Sequence, residues 1–312
     1  METTHIIILN WNGGEDTWKC VRSVCMLPDV RITIVDNGST DNSVAFLQTQ
    51  LSETGIDYAL ITSEEVIRLA GLPQQTAIVL SPQNVGFAKG INLVLRPLLE
   101  SGSEAFVWLL NNDAIAAPDT LAPLIAALRT DKSIAFAGSA IMDAGLHDEV
   151  QCFGVRYYKW LGVGKMLFKG RAWSTIHRDE LAVQTADFQH GASLLVRMDA
   201  IRSIGLLDER FFLYSEEHDW QERAAKAGLR NVRVADSKVF HLGSMSTSRS
   251  RHLFYYYYSG SSVLFSRKHH PGITAFVATG MLVLITIVRT RLHPKSMGWA
   301  LKGIREAWKI RL

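Results

Sequence analysis

The sequence predicts an α/β fold, in which a mainly parallel central sheet is covered by helices on both faces. Short apolar runs rich in β-branched residues alternate with helical stretches through the first half of the 312-residue chain. This alternation is typical of parallel sheets, because parallel strands need a crossover connection that is usually a helix. A composition that is 47% hydrophobic and 20% charged is that of a globular protein.

The elements of the first half can be assigned in order. Strands are expected at residues 6–10, 31–37, 76–81 and 105–110. Helices are expected at about residues 17–27, 39–51, 85–101 and 118–130. Ser39, Thr40 or Asp41 is available to cap the second helix, and Pro118 suits the first turn of the fourth.

The rest of the chain is less regular. The interval 54–75 shows only a short helix at 63–72, with Ser63 as its cap. A strand is expected at 191–197, followed by a short helix. A longer helix is expected at 215–228, with Ser215 as its cap and Gly228 as its stop.

The net charge of +3 conceals a basic tail. Residues 289–312 contain seven Lys or Arg and one acid, Glu306, so this tail carries +6 and the rest of the chain −3. The tail is therefore expected to meet an anionic surface. The cysteines Cys20, Cys25 and Cys152 show no C-x-x-C spacing, which disfavours a zinc site or a disulfide framework and fits a reducing compartment. No signal peptide is expected, because the first apolar run has neither a basic region before it nor a cleavage site after it.

Polar side chains follow the strands of the predicted sheet, at the point where each strand ends. They are Asn10 and Asn12, Asp36 and Asn37, Gln83 and Asn84, and Asn111 to Asp113. Any one pair is explained by a turn, since Asn and Asp are common turn residues. Four clusters on one sheet edge favour a shared ligand pocket, because open α/β sheets bind ligands beyond the carboxyl ends of their strands.

Several functional classes lack their motifs. There is no G-x-G-x-x-G after the first strand, no phosphate-binding G-x-x-x-x-G-K-[ST] and no G-x-S-x-G. The basic residues are not interleaved with aromatic ones along one face, so a nucleic-acid partner is not expected.

Six segments follow one another along the chain with a recognisable order and spacing. They are ILNWNG (8–13), VDNGSTDNS (35–43), NVGFAKGIN (84–92), LLNNDA (109–114), GLLDERFFLYSEEHDW (205–220) and VFHLGSMS (239–246). Taken together they resemble glycosyltransferase family 2, most closely its bacterial rhamnosyltransferase-like branch. The resemblance implies a GT-A fold over residues 1–270, with a Rossmann-like nucleotide-sugar-binding half (1–115) and an acceptor-binding half (116–270). It also implies inverting transfer of a sugar from a nucleoside diphosphate.

The resemblance assigns nucleotide-sugar binding to a set of residues. They are Asn10, Trp11, Asp36, Asn84, Gly86, Lys89, Asn111, Asn112 and His190. Asp36 would hold a uracil or thymine ring, and a carboxylate can accept the ring N–H. The alternative for Asp36 is a cap of the following helix.

The motif at 111–113 implies a divalent cation. Mg²⁺ or Mn²⁺ would neutralise the charge on the departing diphosphate. The motif in this sequence has a single carboxylate, Asp113, so a second protein ligand is expected. His241 occupies the position of the late histidine of the family. The alternative for His241 is a structural role after an apolar strand.

Inverting displacement needs a general base that removes the proton of the acceptor hydroxyl. The family pattern places this base at Glu217, with Asp219 as the second candidate. The alternative is that acids in the first turn favour the helix dipole. Glu216, Glu217 and Asp219 also repel one another, which is expected to raise the pKa of one of them.

The pattern of apolar and basic residues in the tail, residues 271–312, predicts membrane association. Residues 272–288 are uncharged and basic segments flank them, and the closing segment is amphipathic, with Trp299 and Trp308 on one side. The alternative is a core helix followed by a solvated helix. The expected location is cytoplasmic and peripheral, on the inner face of a bacterial cell membrane.

The leading hypothesis is therefore an inverting, metal-dependent glycosyltransferase of cell-surface polysaccharide synthesis. Its donor would be dTDP-rhamnose or a UDP-sugar, and its acceptor a glycan or a polyprenyl-diphosphate-linked saccharide. The alternatives are an inactive nucleotide-sugar-binding scaffold at the membrane and a sugar-phosphate nucleotidyltransferase, whose basic glycine-rich first loop is missing.

Overall fold

A computed structural model of the chain describes residues 3–102, 105–183, 186–243, 251–290 and 293–312. Residues 244–246 of the last family motif lie outside this part. The strands are β1 Thr4–Asn10, β2 Val30–Asp36, β3 Tyr58–Thr62, β4 Thr76–Leu80, β5 Phe106–Leu110, β6 Ala114–Ala116, β7 Ile134–Asp143, β8 Val150–Cys152, β9 Val155–Tyr158, β10 Val163–Met166, β11 Ser193–Arg197 and β12 Arg230–His241. The α-helices are α1 Gly14–Val24, α2 Ser43–Glu53, α3 Phe87–Ser101, α4 Leu121–Thr130, α5 Arg178–Val183, α6 Met198–Ile204, α7 Glu216–Lys226, α8 Arg251–His269, α9 Ile273–Thr290 and α10 Pro294–Lys309.

Among the described residues, one large sheet has the strand order β3-β4-β2-β1-β5-β11-β7-β12-β6, with β8 paired to β7. The pairs from β3 to β5 are parallel, as is β7 with β12. Strand β11 runs antiparallel between β5 and β7. The predicted α/β class with a mainly parallel sheet is confirmed. The division at residue 115 stays a prediction.

The central strands are buried on both faces. Ile6 and Ile8 of β1 belong to one hydrophobic core, while Ile7 between them belongs to the core on the opposite face. Side chains alternate between the two faces of a strand, and helices cover both faces here. This explains why β1 is a continuous apolar run and not an alternating one.

The interval 54–75 was predicted incompletely. It contains the edge strand β3 and a 3₁₀-helix at Val66–Gly71, which is shorter than the expected helix at 63–72. Ser63 does not cap this helix. The N-cap residue is Glu65, which makes no side-chain cap bond. Its carboxylate accepts hydrogen bonds from the backbone N–H and the hydroxyl of Thr62 (3.0 and 3.1 Å).

The predicted helix caps also differ. The N-cap of α2 is Asn42, which makes no side-chain cap bond. Ser215 is the N-cap of α7, but its backbone is left-handed (φ 67°) and its side chain makes no cap bond. Pro118 precedes the N-cap of α4, Thr120. Gly228 has φ 79° just after α7 and fits the predicted stop.

The C-terminal helices pack on the body of the protein. A Cβ atom at Gly303 of α10 would lie 2.1 Å from the carbonyl oxygen of Tyr256, so α10 crosses α8 in direct backbone contact. Trp299 packs edge-on against Tyr256, with ring centroids 5.9 Å apart. Trp299 is thus partly buried, and Trp308 is 41% exposed, so the predicted membrane contact of these two side chains stays a prediction.

Candidate active site

The carboxyl ends of the parallel strands bring the predicted polar residues together. Asn10, the last residue of β1, lies opposite Asp36, the last residue of β2. Asp36 in turn lies opposite Leu80 at the end of β4. This adjacency follows from the parallel register, and it creates one polar edge along the sheet.

Asp36 is held by its neighbours. Its Oδ1 accepts hydrogen bonds from Nδ2 of Asn10 (2.8 Å) and from the Ser39 hydroxyl (2.6 Å), and its Oδ2 accepts from the Ser39 backbone N–H (3.0 Å). Asn10 is fully buried, and its Oδ1 accepts from the Thr17 hydroxyl (2.7 Å). Asn10 therefore orients Asp36, and its side chain has no surface left for a ligand.

A cavity of about 570 Å³ lies beside Asp36. Its lining residues are Asp36, Gly38, Ser39, Thr40, Val44, Thr62, Ser63, Glu64, Leu80, Ser81 and Pro82. This volume lies within the range of small-molecule sites. Asp36 is not the cap of α2, so the alternative stated for it does not apply.

The loop that enters α3 is built by asparagines. Nδ2 of Asn37 donates to Oδ1 of Asn84 (3.1 Å), and Oδ1 of Asn37 accepts from the Val85 N–H (3.0 Å). Gly86 has φ 85°, and a Cβ there would lie 2.6 Å from the carbonyl oxygen of Phe212. Gly86 therefore permits a close contact within the protein. Lys89 is exposed in the first turn of α3.

A second cavity of about 280 Å³ lies beyond β1 and β5. It is lined by Trp11, Asn12, Gly13, Gly14, Glu15, Asp16, Asp41, Asn42, Ser43, Phe46, Asn112 and Asp113. The segment 38–44 separates the two cavities, since residues 38–40 and 44 line the first and residues 41–43 line the second. Trp11 is 36% exposed here, and Nδ2 of Asn112 donates to the Thr17 hydroxyl (3.1 Å). The structure thus places Trp11 and Asp113 in one space next to the Asp36 cavity.

The two predicted metal ligands are in direct contact. Nε2 of His241 lies 3.0 Å from Oδ1 of Asp113, and both side chains are largely buried. His241 ends β12, and the next residue, Leu242, donates its N–H to the carbonyl oxygen of Asp113 (3.0 Å). Backbone pairing therefore brings together two residues that are far apart in the sequence.

Gln151 determines which nitrogen of His241 carries the proton. Nε2 of Gln151 donates to the carbonyl oxygen of His241 (2.7 Å) and to Oδ2 of Asp143 (3.0 Å). The amide oxygen of Gln151 consequently faces Nδ1 of His241 at 3.0 Å and accepts its proton. In the neutral imidazole, Nε2 of His241 then carries the lone pair and faces the Asp113 carboxylate.

This arrangement fits a divalent cation. Two lone-pair-bearing atoms at 3.0 Å attract each other only through a proton or a cation, and neighbouring ligands on an octahedral ion at about 2.1 Å stand roughly 3 Å apart. Within the described residues, no group of three or more His, Cys, Asp or Glu could hold a metal. An ion bound here would take its other ligands from diphosphate and water. Nδ2 of Asn111 lies 3.5 Å from Nε2 of His241 and borders the same point.

His190 lies beside this pair as a neutral donor. Its ring centroid is 6.1 Å from that of His241. Burial, followed by the neighbouring His241, lowers the pKa of His190 to about 4. Its Nδ1 accepts the N–H of Ala192 (3.1 Å), so at neutral pH the proton is on Nε2.

Glu217 approaches the same region from the first turn of α7. A Cβ at Gly191 would lie 3.3 Å from the carboxyl carbon of Glu217, so the carboxylate packs beside the His190–Gly191 backbone. Its Oε2 is buried and has no hydrogen-bond partner within the described part of the chain. A buried carboxylate oxygen without a partner is free to accept a proton from a ligand.

The two other acids of this turn are placed differently. Burial, with the charges of Glu217 and Asp219, raises the pKa of Glu216 well above its usual range. One carboxyl of this cluster therefore has a raised pKa, as expected from the sequence. Asp219 is fully buried and contacts Arg223 (2.9 Å), Lys268 (2.6 Å) and His269 (2.7 Å). Asp219 therefore anchors α7 to α8, and its carboxylate has no exposed surface.

Sequence reasoning missed the residues that position others. Gln151 orients His241, Ser39 binds Asp36, and Asn37 holds the Asn84 loop. Asn37 and Ser39 stand in the quoted motif at 35–43 and could have been noticed there. Gln151 lies in an unremarkable stretch, and only its contacts reveal it.

Comparisons with known proteins show what this chain is similar to. Residues 5–145 match the family model described as Glycosyl transferase family 2. The N-acetylglucosaminyl-diphospho-decaprenol L-rhamnosyltransferase of Mycobacterium tuberculosis is 26% identical over 285 residues, which cover 86% of this chain and 85% of that protein.

Two solved structures show the GT-A fold of this chain. The mannosyltransferase PcManGT from Pyrobaculum calidifontis, in complex with GDP-Man and Mn²⁺, matches with a TM-score of 0.57 and 14% identity, over 99% of this chain and 76% of that one. GalNAc-T7 with UDP, GalNAc and Mn²⁺ matches with a TM-score of 0.57 and 15% identity, over 94% and 58%.

Proposed function

This chain is a glycosyltransferase whose residues 5–145 form a family 2 domain, and from that premise we propose an inverting, divalent-metal-dependent transfer of a sugar from a nucleoside diphosphate. The observation that carries the proposal is the pairing of Asp113 and His241 at 3.0 Å on the polar edge of the sheet. Asp113 and His241 would hold the cation, with Asn111 and Asn112 beside it. When bound, the cation would neutralise the charge that develops on the diphosphate.

The remaining steps fall to side chains of this chain. Glu217 removes the proton from the acceptor hydroxyl, and the hydroxyl oxygen forms a bond to the anomeric carbon on the face opposite the nucleotide. The bond from that carbon to the diphosphate oxygen breaks at the same time, and the nucleoside diphosphate departs with the electron pair. Nε2–H of His190 donates a hydrogen bond to an oxygen of the donor sugar or of the acceptor. Asp219 is not assigned the role of base, because its oxygens are already engaged by Arg223, Lys268 and His269.

The donor is proposed to be dTDP-rhamnose or a UDP-sugar. Both nucleotides carry a pyrimidine whose ring N–H a carboxylate can accept, and Asp36 lines the larger cavity. Trp11, Asn84, Gly86 and Lys89 remain the other proposed neighbours of the nucleotide. Rhamnose is favoured by the M. tuberculosis relative, whose name describes an L-rhamnosyltransferase.

The acceptor is proposed to be a glycan or a saccharide linked to polyprenyl diphosphate, in cell-surface polysaccharide synthesis. The name of the same relative describes a lipid-linked acceptor, N-acetylglucosaminyl-diphospho-decaprenol. A lipid-linked acceptor would place the protein on the cytoplasmic face of the membrane. Helix α9, with 18 residues and a mean hydropathy of 1.9, is consistent with contact with a membrane.

Titration calorimetry with UDP and dTDP, with and without Mn²⁺, tests the nucleotide and the metal together. We expect binding of one nucleotide that strengthens when Mn²⁺ is present. Equal binding with and without Mn²⁺ would refute the metal assignment. A donor-hydrolysis assay then separates an enzyme from an inactive nucleotide-sugar-binding scaffold, which would bind the donor without any turnover.

A further inference from the structure

We propose that the outer face of α9 and the β9–β10 hairpin form one docking surface for an anionic lipid bilayer, on which the protein lies without crossing. This inference deepens the membrane location of the proposed function and rests on it only in that respect.

Helix α9 has two distinct faces. Its buried positions are Ala275, Ala278, Leu282, Thr286 and Thr290. The opposite side is fully apolar and exposed, at Ile273, Phe276, Gly280, Leu284 and Val288. Only 28% of the helix is buried, although no charge occurs between residues 272 and 288. The outward face of a surface helix is normally polar, so we expect this exposed apolar face to be covered by an apolar medium.

The β9–β10 hairpin extends the same surface. A Cβ at Gly162, in its turn, would lie 2.9 Å from a methyl of Leu282, so the turn packs directly on α9. Tyr157 ties the hairpin to α8 through a hydroxyl contact of 3.0 Å with Ser266. At the tip, Tyr158 and Trp160 are 43% and 48% exposed. Exposed Tyr and Trp beside an apolar face are typical of the membrane–water interface.

The charges around this surface favour anionic lipid over a protein partner or a second copy of this chain. The sequence has no Asp or Glu between Glu149 and Asp179, where the hairpin lies, and none between Asp236 and Glu306, where α8, α9 and most of α10 lie. Lys159 and Lys165 flank the hairpin tip, and Arg289 follows the apolar face of α9. Two copies meeting through such a surface would bring like charges together. An anionic bilayer offers both hydrocarbon and negative charge.

The packing of α9 argues against a membrane span. A spanning helix must expose its whole circumference to lipid or to other membrane-embedded helices. The inner face of α9 instead lies against α8, α10 and the hairpin turn, and the hairpin belongs to the globular body. A helix fixed to the body in this way can enter the interface only sideways, by about 5–10 Å.

Site-directed fluorescence on the full chain tests the surface. Cys25 is the one cysteine that is not buried, so Cys25→Ser provides the parent. An environment-sensitive dye is attached in that parent to Trp160→Cys, to Phe276→Cys, or to the control Met26→Cys, which replaces a residue that is 90% exposed. With vesicles containing phosphatidylglycerol, we expect a blue shift at positions 160 and 276 and none at 26. A shift at 276 without one at 160 would remove the hairpin from the surface.

Partitioning and extraction complete the test. Trp160→Ser and Phe276→Ser should each lower partitioning into phosphatidylglycerol vesicles by roughly tenfold, as expected for loss of one buried apolar side chain, while Met26→Ser leaves it unchanged. Alkaline carbonate should release the bound protein, and resistance to carbonate would show a span instead. Dimers in solution together with no vesicle binding would identify a second copy as the occupant and overturn the proposal. Transfer to a water-soluble acceptor should persist in both variants, so failure of the surface is distinguishable from failure of the proposed reaction.

Discussion

Nε2 of His241 lies 3.0 Å from Oδ1 of Asp113, and Nδ1 on the other side of the ring lies 3.0 Å from the amide oxygen of Gln151. The contact joins the end of the last sheet strand, β12, to the turn after β5. It places the two candidate metal ligands side by side on the polar edge predicted from the sequence.

Asp113→Asn should abolish the contribution of Mn²⁺ to nucleotide binding. The substitution keeps the shape of the side chain but removes the charge that would attract the cation. We expect Mn²⁺ plus UDP or dTDP to raise the thermal midpoint of the wild-type protein and to leave that of the variant unchanged. Asp16→Asn is the matched control, because Asp16 lines the same cavity but pairs with Lys19 at the surface. Equal Mn²⁺ effects in wild type and Asp113→Asn would place the cation elsewhere.

Gln151→Leu should weaken Mn²⁺ binding by roughly 10- to 100-fold, the usual effect of removing a group that orients a metal-bound histidine. Leucine fills similar space but cannot accept the proton on Nδ1 of His241. Electron paramagnetic resonance of free Mn²⁺ measures the affinity without any assay of activity. An unchanged affinity would mean that Asp113 alone determines the orientation of His241.

Glu217→Gln should lower kcat by roughly 10²- to 10⁴-fold, the usual contribution of a general base. Donor binding, measured by calorimetry, should stay as in the wild type, because the amide keeps the volume and loses only the basicity. Glu222→Gln is the control on the same helix, since Glu222 faces Lys226 at 3.9 Å. Normal turnover in Glu217→Gln would assign the base to another residue.

Asp219→Asn should act on stability. It removes the shared anion of Arg223, Lys268 and His269, and breaking such a buried pair costs about 3–5 kcal/mol of unfolding free energy. Denaturant unfolding measures this loss. Asp199→Asn, which removes a carboxylate that is 59% exposed beside Arg197, should cost less than about 1 kcal/mol. A cost for Asp219→Asn no larger than that of the control would refute the anchor.

The same cluster predicts a pH dependence. Burial alone would raise the pKa of Asp219, but hydrogen bonds from His269 and Lys268 and the charge of Arg223 outweigh it, and the pKa is lowered. A carboxyl with a lowered folded pKa stabilises the protein above its unfolded pKa of about 3.9, and this contribution is lost as the pH falls through the folded value. The unfolding free energy of the wild type should therefore fall more steeply below about pH 4 than that of Asp219→Asn. Parallel curves would contradict the assignment.

The sequence by itself determined the class of the fold and the edge where its chemistry lies. The apolar runs around Ile7 and Val107 identify buried strands, because the pattern of hydrophobic residues is set by local geometry. The polar residues after them, Asp36 and Asp113, mark the carboxyl ends of those strands. Parallel strands carry such ends to one edge whatever the details of packing. The family motifs rest on the same local patterns.

Only the tertiary structure decided how each polar group is engaged. Asp219 and Glu217 are two residues apart and look alike in the sequence. The carboxylate of Asp219 is bound by Lys268 and His269 of α8. The carboxylate of Glu217 has one oxygen without a hydrogen-bond partner in the described structure. Gln151 owes its position to β7 and β12, and the apolar face of α9 is exposed because the other face packs against α8, α10 and the hairpin turn. Such contacts join segments distant in the chain. They depend on packing in three dimensions, about which a local pattern of residue types carries no information.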